Sequence, residues 1–256
     1  MNGKQFVIRM IRGGKPLRFD FLRAIGRLIL PEYRFKWFHM GWWENKQFND
    51  FLRRFDELKM PNTERRWMLY QLTRLVKNVP GDTAECGAYR GAGSYLICNA
   101  NAENQLHQRT HYVFDSFEGM PSNAEAGGKS IYGREHHFPK GSHAVPFEEV
   151  KGNVARWGDA SRVHYHKGFF SDTMPLFHEA VGAACVNVDL AQSTRDCFRY
   201  LWPLLPPGGI IISQDAHFPW IIELLRDDAF WRDELRVAAR PDIPGLGTLK
   251  FVTVRK

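Results

Sequence analysis

Long apolar runs are missing from this chain. No stretch of about 18 consecutive apolar residues occurs among its 256, so a membrane-crossing helix is not expected. Cysteine is sparse: only Cys86, Cys98, Cys185 and Cys197 are present, and none has the C-x-x-C spacing of a zinc site. Buried, reduced thiols are the expectation, which suits a reducing cytoplasm. No segment reads as a secretory leader, because the apolar stretch from Phe6 to Ile11 is short and broken by Arg9. A cytoplasmic location is therefore expected. The chain also lacks G-x-G-x-x-G, which argues against a nicotinamide dinucleotide site.

Net charge is absent from most of the chain. Residues 1–40 hold nine Lys/Arg and two Asp/Glu, so the whole formal excess of +7 sits there and the remainder balances. With a neutral body and no Asn-Pro-Pro-Tyr-like motif, a nucleic-acid partner is not expected. The basic arm suits an acidic partner: a membrane surface, an anionic substrate or another subunit. Phe19, Leu22, Ile25 and Ile29 recur at helical spacing between Leu17 and Leu30, with Arg18, Arg23 and Arg27 on another face. This predicts a basic amphipathic helix, either packed on the protein or in peripheral contact with a membrane. An aromatic cluster follows (Tyr33, Phe35, Trp37, Phe38, Trp42, Trp43), suited to a core, an interface or part of a lid. Further helices are predicted over Glu44–Leu58 and from Thr63 toward Pro80. Residues 1–60 thus read as a helical extension and 61–256 as the main domain.

From residue 83 strand-like and helix-like runs alternate. Strands are predicted at Thr83–Cys86, Tyr112–Phe117, Val163–His166, Ala184–Leu190 and Gly209–Ser213, and helices at Ser94–Asn104, Phe147–Trp157, Met174–Val181, Thr194–Leu201 and Trp220–Trp231. Such alternation predicts an α/β fold with a parallel sheet covered on both faces. Two final strand-like runs, Leu235–Ala239 and Thr248–Val254, have no helix between them and predict a terminal hairpin, hence a reversed last strand. That arrangement is the Rossmann-like sheet of class I methyltransferases. The link from Glu118 to Val145, rich in glycine, is long enough to act as a lid or substrate loop. Its His136-His137 pair suggests a metal, but has no further ligand at suitable spacing and reads better as solvent-facing.

The most telling stretch is Glu85-Cys86-Gly87-Ala88-Tyr89-Arg90-Gly91-Ala92-Gly93-Ser94, followed by Phe114-Asp115-Ser116-Phe117-Glu118-Gly119-Met120-Pro121. A carboxylate and three glycines fall where a strand turns into a helix, and a second carboxylate ends the next strand. Glycine lets a ligand approach backbone, the helix start offers free N–H groups, and the second acid suits ribose hydroxyls. A carboxylate before the glycines repels a pyrophosphate and suits the cationic ends of S-adenosylmethionine (SAM). Glu85, Gly87, Gly91, Ser94, Asp115 and Ser116 are therefore cofactor candidates. The plainer alternative is a strand–turn–helix with no ligand. Two more strand ends carry Asn187-Val188-Asp189 and Gln214-Asp215-Ala216-His217. Asp189 and Asp215 should meet at the carboxyl edge of neighbouring strands, where one carboxylate or histidine can take a proton from an attacking hydroxyl. Alternatively, each caps the helix that follows it.

These segments resemble the macrocin-type O-methyltransferases, the family that also methylates mycinamicin and novobiocin sugars. Gly81–Gly91 is similar to the family's GDxxECGxxRG, residues 114–121 to FDSFEGLP, Lys167–Pro175 to KGxFxDTLP, residues 187–194 to DxDLYEST, and Pro207-Gly208-Gly209 to PGG. The resemblance covers roughly residues 60–256. It implies SAM-dependent methylation of a sugar or other natural-product hydroxyl, in a homodimer or larger homo-oligomer. It also implies that Glu85 and Gly87 hold the methionine end, Asp115 and Ser116 the ribose, and Gly168 and Phe169 the adenine. Asp189 would be the general base, with His217 as a second candidate. The family's magnesium ligands fall on Asn187, Gln214 and Asp215, so two of three carboxylates are amides here. A weakened or absent metal site and metal-independent transfer are expected. The same losses motivate a rival reading: a SAM-binding or scaffolding protein without catalysis.

Overall fold

A computed structural model describes residues 15–29, 45–57, 63–104, 108–121, 127–157 and 160–256. The aromatic cluster at 33–43 and residues 1–14 of the basic arm lie outside these. The chain divides into two compact units, Met1–Leu58 and Lys59–Lys256. In the first, α1 spans Lys15–Ile29, as its periodicity predicts, and leaves Leu22, Leu28 and Ile29 exposed. Helix α2, Lys46–Arg54, starts on Asn45, whose side-chain oxygen accepts from Phe48 N at 2.9 Å, and buries Phe48, Phe51 and Leu52.

The second unit runs α3 (Thr63–Leu75), β1 (Asp82–Cys86), α4 (Ala92–Glu103), β2 (His111–Asp115), the two-residue strands β3 (Gly128–Lys129) and β4 (Glu135–His136), α5 (Phe147–Trp157), and β5 (Val163–Lys167). Then follow α6 (Phe170–Thr173), β6 (Val181–Val186), α7 (Ala191–Leu204), β7 (Ile210–Ser213), α8 (Pro219–Arg226) and β8 (Val252–Arg255). The main sheet has the order β5-β2-β1-β6-β7-β8, with every pairing parallel except β7–β8. β1 and β6 are buried almost throughout, as central parallel strands must be, whereas β5 at the edge is half-exposed. Phe198, Leu201, Ile221 and Leu225 of α7 and α8 close one face with Phe114 and Val186. Leu69 and Ile97, from α3 and α4, close the other with Cys185 and Ile212.

Chain order leaves β1 toward β2 and β5 on one side and resumes at β6 on the other. The crevice between the carboxyl ends of β1 and β6 is thus the switch point where ligands bind in such sheets. The strands come together there too tightly for a side chain at residue 87: a Cβ on Gly87, at φ +85°, would lie 2.1 Å from Asn187 O.

Two sequence expectations fail in the fold. The helix expected over Met174–Val181 is a single 3-10 turn at Met174–Leu176, and Val181 already belongs to β6. Pro175 removes a donor, and the β-rich run beyond it pairs with β1. The terminal hairpin also fails, because Leu235–Ala239 is not a strand. Phe230–Glu234 forms a π-helical turn, and Leu235 N and Val237 N bond back to Phe230 O and Trp231 O at 3.2 and 2.9 Å. Burial of Phe230 and Trp231 anchors that turn, so β8 pairs with β7 instead and still closes the sheet in reverse.

Candidate active site

The carboxyl edge is built from four strand ends. At β1, Glu85 is 2% exposed and accepts a hydrogen bond from Ser94 Oγ in the first turn of α4. Burial pushes its carboxyl up to about 7, against the opposing pull of that hydroxyl and Arg66. A Cβ on Gly93 would lie 1.8 Å from Glu85 Oε1, so this glycine makes room for the acid. Gly91 takes φ +87° at the helix start and packs against Val154 of α5.

At β2, Asp115 ties the glycine turn to its own strand. Its Oδ2 accepts from Ala88 N at 2.7 Å and its Oδ1 from Phe117 N at 2.7 Å. Oδ2 also accepts from Tyr89 N at 3.4 Å, so of about four acceptor positions the one left for a ribose hydroxyl is on Oδ1. Ser116 lies beside it, with its hydroxyl inside a local turn, donating to Gly119 O and accepting from Glu118 N at 3.2 Å each. Gly168 N donates to Asp115 O at 3.0 Å, which brings the end of β5 against the end of β2. Next to it, Phe169 lines a cavity of about 690 Å³ with Met120, Phe170, Leu190, Ser193 and Tyr200. Of the predicted cofactor residues, Phe169 alone lines this cavity; the acids stand outside it.

Asp189 and Asp215 do come together. Asp215 Oδ2 accepts from Val188 N at 2.7 Å and Asp189 N at 3.0 Å. Asp189 takes φ +61°, a left-handed conformation, and Trp220 Nε1 of α8 donates to its carbonyl at 2.8 Å. Burial raises the carboxyl pKa of both aspartates, and for Asp189 the neighbouring Asp215 charge adds to the rise. Asp215 is 1% exposed, and its Oδ1 has no partner.

His217 is 2% exposed, and its ring lies against that of Phe218, 3.9 Å between centroids and tilted by 33°. Burial, followed by nearby Lys250, Arg65 and His136, lowers it to about 3, so it is neutral and has little proton affinity near pH 7. The glycine-rich link folds over it, with Ile131 N donating to His217 O at 2.9 Å. His136 is half-buried against Phe218 at 4.9 Å and does not face solvent as expected; His137 does.

The positions matching the family's metal ligands are Asn187, Gln214 and Asp215. Gln214 points to the opposite face, where its Nε2 donates to Cys185 Sγ at 2.9 Å. Among the described residues no group of three or more His, Cys, Asp or Glu is arranged to hold a metal. Sequence reasoning missed Lys250, Arg65 and Trp220. The first two act on both aspartates as positive charges, and Trp220 holds Asp189. Nothing local in the sequence ties them to Asp189, from which Trp220 stands 31, Lys250 61 and Arg65 124 residues away.

The pattern described as Macrocin-O-methyltransferase (TylF) matches residues 64–229, more than half of the chain. The chain belongs to the macrocin O-methyltransferase family. A Streptomyces olivaceus 8-demethyl-8-(2,3-dimethoxy-alpha-L-rhamnosyl)-tetracenomycin-C 4'-O-methyltransferase is 35% identical over 160 residues, 60% of this chain and 59% of its own length. Demethyldecarbamoylnovobiocin O-methyltransferase of Streptomyces niveus is 31% identical over 54% of this chain and 53% of its own length. The chain thus aligns with less than two thirds of either relative. The solved structure of the O-methyltransferase NovP superposes with a TM-score of 0.62 at 25% identity, over 76% of this chain and 80% of NovP. The matched residues 64–229 include the glycine turn, Asp115, Asp189 and Asp215.

Proposed function

We propose that this protein transfers a methyl group from SAM to a hydroxyl of a sugar-bearing natural product, with Asp189 as general base and no divalent metal. The observation that carries the proposal is the Asp189–Asp215 pair at the carboxyl end of β6, one strand from the glycine turn and Asp115. The donor set fits SAM: carboxylates and backbone, with no phosphate-binding loop. Asp115 would hold the ribose, Glu85 and Gly87 the methionine end, and Phe169 would lie beside the adenine. SAM, when bound, supplies an electrophilic methyl on a sulfonium.

The chain's own part is positioning and proton removal. Asp189 would take the acceptor's hydroxyl proton as that oxygen's lone pair forms the new C–O bond and the methyl–sulfur bond breaks, its electron pair staying on sulfur in the demethylated, neutral thioether product. Its raised pKa makes it a better base than an ordinary aspartate. The left-handed backbone held by Trp220 and the anchored Asp215 fix its direction. A sugar acceptor is supported by what the relatives' names say they act on.

The test is calorimetric titration of SAM and its demethylated product, with EDTA or with magnesium, followed by turnover with rhamnosyl glycosides. Expected are SAM binding unaffected by chelator and lost in Asp115→Ala, and turnover lost in Asp189→Asn. The rate should rise with pH through a midpoint well above the ordinary aspartate value of 3.8, because the base must be ionised. A magnesium requirement, abolished by chelator and restored by metal, would remove the metal-independent mechanism. SAM binding with no turnover on any acceptor would favour the second reading, a SAM-binding protein without catalysis, which Asn187 and Gln214 motivate.

A further inference from the structure

Strand β8 runs antiparallel to β7 with Ser213 opposite Val252. Continuing that register carries Lys250 toward Asp215, and Ala216 N donates to Lys250 O at 3.0 Å. Side chains alternate along a strand, so Lys250, Val252 and Val254 share a face. Val252 and Val254 pack with Ile211 in the same core cluster, the face of Ser213 and Asp215, whereas Phe251 and Ile212 lie in the opposite one. Lys250 is half-buried, and its positive charge acts on both Asp189 and Asp215. Arg65 of α3 faces the same pair, Arg134 lies near Lys250, and neutral His217 sits beside them. The site thus holds two neighbouring carboxyls, an Asp215 Oδ1 that accepts no hydrogen bond, and Lys250 brought up beside Asp215 by the last strand.

From this placement we infer that Lys250 is the resident cation of the site: its ammonium balances Asp215 and Asp189 where a bound divalent ion would otherwise do so, and offers an N–H to the acceptor oxygen. The inference deepens the proposed methyl transfer and rests on it for the acceptor. Lys250 loses no proton in the step: the hydroxyl proton passes to Asp189, and the ammonium donates a hydrogen bond to the oxygen as negative charge develops there. A divalent ion entering the same space would meet Lys250 and Arg65 and be repelled by both.

The experiment is a manganese(II) titration, read by electron paramagnetic resonance and by the shift in Tm. It compares the full-length wild type with Lys250→Met and Lys250→Arg, with SAM calorimetry on the same samples. Wild type and Lys250→Arg are expected to show no manganese binding below about millimolar concentration. Lys250→Met is expected to bind at least tenfold more tightly and to melt higher with manganese, because the two carboxyls lose one of their two nearby positive charges and keep only that of Arg65. Its turnover should fall at least 100-fold at unchanged SAM affinity. Micromolar manganese binding by the wild type overturns the inference, and that reading stands even if Lys250→Met does not fold. Equal manganese affinity in wild type and Lys250→Met also overturns it. If no variant or wild type binds SAM but the manganese pattern holds, the methyl-transfer reading fails while the assignment of Lys250 as counter-ion survives.

Discussion

Two residues at the glycine turn show how opposed local effects are decided. Gly93→Ala would gain about 1 kcal/mol of helix propensity in a free helix. In α4 the new methyl meets the Glu85 carboxylate, which is buried and tied to Ser94, and overpacking of this kind costs about 1–3 kcal/mol. Net destabilisation is expected, read as a lower urea midpoint at unchanged m-value. Glu85 itself sets a pH dependence. Its folded-state pKa of about 7 stands above the ordinary 4.5, so the native state holds the proton more firmly than the unfolded chain. Stability from this group is full below about pH 4.5 and is lost as pH rises through about 7, with a ceiling of about 3 kcal/mol. Glu85→Gln keeps a partner for Ser94 without the buried charge. It should melt higher than wild type at pH 8 and equally at pH 4.5, while binding SAM less well.

At the scale of elements, α8 and β8 bring to the site what β6 and β7 alone do not. Trp220, second in α8, stacks on Phe218 at 4.7 Å and donates to the carbonyl of left-handed Asp189. Trp220→Phe keeps the stacking ring and removes the donor. One such bond is worth about 1 kcal/mol, so kcat should drop about fivefold with the SAM Kd unchanged. A changed Kd at constant kcat would show that Trp220 serves the cofactor instead of the base. The short turn at Met174–Leu176 and the π-helical turn at Phe230–Glu234 are where element prediction failed. In both cases a non-local demand outweighed the local pattern: pairing of β6 with β1 in the first, burial of Phe230 and Trp231 in the second.

At the scale of the molecule, Lys59–Lys256 holds the entire sheet and its two covering layers. A chain beginning at Lys59 is expected to unfold in one cooperative transition and to bind SAM within about threefold of the full chain, as followed by circular dichroism and calorimetry. All four thiols are buried and none forms a disulfide. A colorimetric thiol reagent should therefore find none in the native protein within minutes and four after denaturation.

The motifs around Glu85, Asp115 and Asp189 were legible because each is contiguous: a strand, its terminal acid and the next turn lie within a few residues. The parallel sheet was legible for a related reason, since short β-rich runs alternate along the chain with helical stretches. By itself, then, the sequence determined the fold class, the family and the row of carboxylates at the strand ends. Tertiary structure alone decided which way the neighbours of those acids point. Gln214 turns away to Cys185 through strand alternation, while the antiparallel register carries Lys250 toward Asp215 from 35 residues further along the chain. Buried charges respond to what surrounds them in space. The groups that decide their chemistry here are brought near by pairing and packing, which no local pattern records.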